Sequence, residues 1–199
     1  RPVGSEANAK ASDYIVRQLE RNDWTVETQD LAVQGLQLCN VIGKKGRGPI
    51  IILGTHLDTR TVADRDPTNR SLPVPGANGG ASGVSVLLEL ARALGPAATD
   101  QAEIWLAFFD GSARGGLGSF PDCVGSRHFA DELLEDRMLR RVQYVVILDM
   151  VGSKEQSLYY EWNSTLRVQE RIWAVATDLG YQQWFVPQHR HNLLNDHLV

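Results

Sequence analysis

A histidine, three acids and a serine sit where apolar runs give out. The run Pro49–Thr55 ends on His56-Leu57-Asp58, the run Ala102–Phe109 ends on Asp110, Gly111 and Ser112, and Asp149 interrupts the apolar stretch YVVILDMVG. Alternate side chains of an extended segment share a side, so Asp58 is placed to orient His56. An imidazole held by a carboxylate serves as a metal ligand or as a catalytic base; a strand-end histidine satisfied by a local hydrogen bond is the plainer alternative. Asp149 is costly in so apolar a setting unless it is paired, hydrogen-bonded or coordinated. His56 is its natural partner, and capping of amides in the following turn is the other way to satisfy it. Ser112, His56 and Asp149 have the residue types of a hydrolytic triad, but the G-x-S-x-G elbow is absent, because Asp110 and Arg114 stand at its glycine positions.

These groups need a scaffold, and the periodicity of the chain supplies one. Apolar residues at helical spacing from Ala7 to Leu19, with Ser5 as N-cap, predict an amphipathic helix. Trp24–Val33 and Leu38–Gly43 read as strands, and Pro49–Thr55 reads as the central strand, buried on both faces. A long loop to about Gly80 precedes the helical stretch ASGVSVLLELARALG, closed by Gly95. Ala102–Phe109 and Gln143–Met150 read as buried strands, Ser157–Trp162 as a shorter one, Ser126 to about Arg140 as a helix, and Thr165–Leu179 as a helix stopped by Gly180. Strands interleaved with helices predict one α/β domain over residues 1–199, with a largely parallel sheet covered on both faces. In such sheets ligands collect beyond the carboxyl ends of the strands, where His56, Asp58, Asp110, Ser112 and Asp149 fall.

Composition narrows the function classes. A formal net charge of -4 offers no long-range attraction for nucleic acid, and Lys44, Lys45 and Arg47, interrupted by glycines, read as a solvated hairpin turn. No apolar run approaches the ~20 residues of a membrane helix, and no basic-then-apolar leader is present, so a soluble protein acting on peptides or small molecules is expected. Two cysteines, Cys39 and Cys123, make no disulfide framework or zinc ribbon; a single bridge between them stays open. Asn69-Arg70-Ser71 and Asn163-Ser164-Thr165 fit the glycan acceptor pattern, which arises often by chance. His128 reads as packing at a helix start, His189, His191 and His197 as a cluster able to take a stray metal ion, and Trp105, Trp162, Trp173 and Trp184 as core or pocket wall.

The segments GTHLD, PGANGGASGVSVLLELARAL, IWLAFFDG, GSRHFA and VVILDMVG, in that order, resemble the zinc aminopeptidases and glutaminyl cyclases, and the likeness runs from RPVGS at Arg1 to NDHLV at Val199. The resemblance implies a three-layer α/β/α sandwich on a mostly parallel mixed sheet, zinc as cofactor, and action on peptide N-termini, in a family often secreted or of the cell envelope. It further implies that His56 and Asp149 are zinc ligands of the aminopeptidase type, that a bridging aspartate belongs at Gly79, and that a general-base glutamate and a second acidic ligand belong at Ser112 and Ala113. The single cyclase zinc would use the positions of Gly79, Ala113 and a histidine beyond Val199. Asp196-His197 matches a late segment that approaches the cyclase pocket.

Zinc takes ligands at ~2.0–2.3 Å from N, S or O donors, and neither glycine nor alanine carries one in its side chain. The expectation is therefore a family member disabled in catalysis, with zinc absent or weakly held and Asp110 and Asp196 lining the pocket. Two other readings stand beside it: residual activity with one metal on His56, Asp149 and replacement donors such as Asp58 or Asp110, and a binding or structural module without pocket chemistry. A C-terminal truncation, natural or engineered, is also expected, with self-association through the sheet edge it would expose.

Overall fold

Helix α1 (Glu6–Glu20) begins as its sequence dictates, with the Ser5 hydroxyl accepting the Asn8 amide at 3.1 Å. It ends where Asp23, at φ 58°, lets Trp24 N–H reach back to Leu19 O. The computed structural model describes residues 1–94, 100–113 and 122–199. Gly95 and Arg114 lie outside the described residues. Strands β1 (Thr25–Val33) and β2 (Leu36–Gly46) form a hairpin whose two-residue turn, Gln34-Gly35, has both residues in the left-handed region. The chain continues through β3 (Ile50–His56), α2 (Ser82–Leu94), β4 (Glu103–Phe109), α3 (Val124–Glu135), a short 3-10 turn (Met138–Arg141) and β5 (Val142–Ile147).

The sheet order is β1-β2-β4-β3-β5, antiparallel through β2 and parallel on both sides of β3. The middle strand is thus β4 rather than β3, because β2 pairs with β4 and not with its successor in sequence. That pairing also corrects the reading of Lys44 and Lys45: both lie in β2. The Lys44 ammonium sits 4.0 Å over the Trp105 ring, and Lys45 donates to Asn22 O at 2.8 Å.

Each face of the sheet is covered, giving the α/β/α sandwich. Ile15 and Leu19 of α1 and Val84, Leu87 and Ala91 of α2 pack on Val41, Leu106 and Phe108. Phe129 and Leu133 of α3 pack on Ile42, Ile52, Trp105 and Phe109 on the other side. Burying a leucine such as Leu87 stabilises by roughly 1.5–3 kcal/mol. Gly83 lets α2 come this close, since a Cβ there would run into Thr55 Oγ1 and Leu148 O.

Strand β5 departs from the buried strand read over Gln143–Met150: it stops at Ile147 and alternates half-buried with exposed residues, Val145 being 51% exposed. Asp149 therefore lies two residues beyond a strand. Past it, β6 (Leu158–Glu161), α4 (Leu166–Asp178) and β7 (Phe185–His191) build a separate two-stranded parallel sheet. Helix α4 is closed by Gly180 at φ 83°, with Tyr181 N–H bonded to Ala176 O. The polar run around Pro187 hides β7 from a periodicity argument, and the register does shift across that proline. No helix of the described residues is long and apolar enough to cross a membrane.

Candidate functional site

Parallel pairing puts His56 opposite Phe109, and Leu148 N–H bonds Gly54 O at 2.8 Å. Three strand ends therefore finish side by side. His56 Nε2 lies 3.2 Å from Asp149 Oδ1, while Nδ1 lies 3.1 Å from Asp58 O and 3.4 Å from Asp58 Oδ1. Burial acts to lower the imidazole pKa, but the Asp149 and Asp58 carboxylates outweigh it and raise it to about 10. Burial likewise acts to raise Asp149, and His56 and Asn195 overcome it, holding that carboxyl below its usual range. The pair is an imidazolium and a carboxylate, with both ring N–H groups donating.

Asp58 does more than face the ring. It is fully buried, and its carboxylate accepts Ser112 N–H at 3.2 Å and Ala113 N–H at 2.8 Å, so it fixes the backbone just past β4. Ser112 Oγ donates to Asp196 Oδ1 at 2.7 Å, and Ser126 Oγ donates to the same oxygen at 2.6 Å. Asp196 is buried, which raises its carboxyl pKa. Its neighbour Asn195 donates to Asp149 Oδ2 at 2.7 Å. The C-terminal turn is thereby tied to two strand ends and to α3. Sequence reasoning missed Asn195 and Ser126 as members of this cluster; the adjacent Asp196-His197 segment and the GSRHFA stretch are where a signal lay.

Asp110 is not a pocket donor. It is buried beneath the site, where Oδ1 accepts Asn8 Nδ2 and Gly111 N–H, both at 2.9 Å, and Oδ2 accepts Cys39 N–H at 3.2 Å. Burial and the nearby Asp58 charge push its pKa up to about 6, against those three donors. Asn40, fully buried, completes the arrangement: its Oδ1 accepts Asp110 N–H, and its Nδ2 donates to Gly125 O and to Gln29 Oε1. The triad reading fails on geometry, because both ring nitrogens of His56 face aspartates and Ser112 bonds Asp196 instead.

The loop between β3 and α2 meets the loop after Asp149, where Asn78 Oδ1 accepts Gly152 N–H and Ser82 Oγ accepts Val151 N–H. Beside Asn78, a Cβ on Gly79 would meet nothing within 4 Å. The other candidates fall elsewhere. His128 ion-pairs with Glu132 across a helix turn at 3.2 Å. His189 stacks on Trp162, His191 meets the Tyr159 ring edge-on, and His197 lies 3.2 Å from Glu161. Trp105 is core, but Trp162 and Trp184 are exposed rather than buried. Cys39 and Cys123 are free thiols, each pushed up to about 12, chiefly by burial.

The donors of the described residues can be set against what zinc requires. A structural or catalytic site needs three or four convergent N, S or O ligands, and among the described residues no three of His, Cys, Asp or Glu converge to hold a metal. His56 and Asp149 spend their facing atoms on each other, and the Asp58 carboxylate is committed to backbone amides.

The sequence signature of peptidase family M28 matches residues 40–198. The glutaminyl-peptide cyclotransferase of Drosophila melanogaster is 27% identical over 195 residues, which cover 92% of this chain and 53% of that protein; the chain thus spans about half the length of this relative. The solved glutaminyl cyclase of Bacteroides thetaiotaomicron, bound to N-acetylhistamine, superposes with a TM-score of 0.87 at 26% identity, over 99% of this chain and 73% of that one. A Zn-dependent exopeptidase from Parabacteroides distasonis gives 0.85 at 28% identity, with the same coverage.

Proposed function

The chain belongs to peptidase family M28, and from that premise we propose that it is a zinc aminopeptidase/glutaminyl cyclase-like protein disabled in catalysis, holding no resident zinc. The observation that carries this reading is the His56–Asp149 contact at 3.2 Å. The two residues at the family's ligand positions His56 and Asp149 neutralise each other, and two further ligand positions are Gly79 and Ala113, which have no side-chain donor. Without an ion to depress the pKa of a bound water from ~16 toward ~7, and with Ser112 in place of a carboxylate base, hydrolysis or cyclisation at a peptide N-terminus loses both its nucleophile and its proton acceptor. The Ser112 hydroxyl donates to Asp196 and offers no basic atom of useful strength.

Calorimetric zinc titration, run beside turnover assays with alanyl and glutaminyl anilides, tests the reading. The expected result is no stoichiometric high-affinity binding and no turnover of either substrate. One equivalent of tightly bound zinc, together with turnover that His56→Ala abolishes, would overturn it in favour of a residually active single-metal enzyme.

A further inference from the structure

We infer that Asn69 is an acceptor for an N-linked oligosaccharide, and that Asn163, which heads the second triplet of the same pattern, is closed to one by the fold. The pattern arises often by chance, so the state of each carboxamide has to separate the two. Transfer joins the amide nitrogen to a sugar, which needs an uncommitted Nδ2 on a surface that can carry a bulky chain.

Asn69 meets both needs. Residues 67–73 are exposed without interruption, and the tip is held by bonds of its own. Ala63 N–H donates to Leu72 O at 2.8 Å across the base, and Asp66 Oδ1 accepts Thr68 N–H, Thr68 Oγ1 and Asn69 N–H at 2.8, 2.6 and 2.9 Å. Asn69 Oδ1 accepts Ser71 N–H at 3.2 Å and the Ser71 hydroxyl at 2.8 Å. A backbone N–H can only donate, so it fixes which end of the carboxamide is oxygen. Among the described residues nothing accepts from Nδ2. The two donors at the carbonyl end make the amide protons more acidic and leave the nitrogen free.

Asn163 differs at the nitrogen itself. Its Nδ2 donates to Asn192 Oδ1 at 2.8 Å, Glu161 Oε1 at 3.1 Å and Leu193 O at 3.3 Å, more acceptors than it has protons. The third residue of its triplet, Thr165, is the N-cap of α4, and among the described residues its hydroxyl does not bond the Asn163 carbonyl. A sugar there would break the bonds that join the end of β6 to the segment after β7.

The donor implied is an oligosaccharide linked to a polyprenyl diphosphate. Asn69 Nδ2 attacks C1 of the first sugar, the C1–N bond forms and the C1–O bond breaks. The electron pair of that bond leaves with the diphosphate, and one amide proton passes to a base of the transferase. No oxidant or reductant is involved.

Incubation of the full chain with a purified oligosaccharyltransferase and its lipid-linked oligosaccharide tests this, with glycans mapped by mass spectrometry. Synthetic peptides spanning residues 66–73 and 160–167 are run in parallel. Both peptides are expected to be glycosylated, whereas the folded chain is modified at Asn69 alone. Asn69→Gln should lose all product, and Asn163→Gln should leave it unchanged. Transfer to Asn163 in the folded chain, or no transfer to Asn69 there, would overturn the inference. So would an unreactive 160–167 peptide, since the fold would then not be what closes Asn163.

Discussion

The acids of this site differ by what satisfies each one. Asp149 is matched by an imidazolium and an amide, Asp58 by two backbone N–H groups, Asp196 by two hydroxyls, and Asp110 by three N–H donors from α1, β2 and its own turn. Replacing Asp110 with Asn would turn the amide NH₂ toward at least one N–H donor in either orientation, since donors approach both carboxylate oxygens. Asp110→Asn is expected to cost about 1–3 kcal/mol, read from urea unfolding at pH 7. The pH dependence has a definite sign. A carboxyl whose folded pKa lies near 6 binds protons more readily in the folded state, so its contribution is fully present below the unfolded value of 3.8 and is lost as pH rises through about 6. Between those limits the stability of the parent relative to Asp110→Asn should therefore fall with rising pH. A flat difference across that window would show that the three donors hold Asp110 ionised throughout.

At the scale of elements, two glycines separate close packing from open space. Gly83 lies where α2 meets β3, and a methyl group there meets Thr55 and Leu148 O; Gly79, four residues earlier in the loop, faces nothing within 4 Å. Gly83→Ala should destabilise by about 1–3 kcal/mol through forced displacement of α2. Gly79→Ala should stay within about 0.5 kcal/mol of the parent. Thermal denaturation of the two variants side by side measures this; equal losses would mean that α2 adjusts freely. Helices were the more legible elements, because Ser5, Gly180 and the apolar spacing of α1, α2 and α4 are local signals. Strand β7 was not legible, since Pro187, Gln188, His189 and Arg190 carry no strand alternation and are held by pairing with β6.

At the scale of the whole molecule, the C-terminal turn closes the ring of contacts. Asn195 and Asp196 join the segment after β7 to the ends of β4 and β5 and to the start of α3. Asp196→Ala leaves the Ser112 hydroxyl without its acceptor and deprives Ser126 of its shorter bond, so it should lower stability by about 1–3 kcal/mol. Amide exchange in residues 196–198 should rise with it. Asp196→Asn keeps an acceptor oxygen and should lose less. Exchange confined to the turn would mean that it is an appendage rather than part of the cooperative unit.

What the sequence determined by itself was most of the helices and strands, β7 excepted, and the edge of the sheet where polar side chains collect, because periodicity and caps act over a few residues and strand ends are marked by where apolar runs stop. The resemblance also set the expectation that Gly79 and Ala113 stand where the family has metal donors. Only the tertiary structure decided how the remaining donors are spent. The Asn8–Asp110, Ser112–Asp196 and His56–Asp149 bonds join residues 102, 84 and 93 positions apart, and no local pattern encodes such pairings. The order of β2, β4 and β3 across the sheet was hidden for the same reason: strand neighbours are chosen by which apolar faces pack together, and that choice is settled by the whole chain at once.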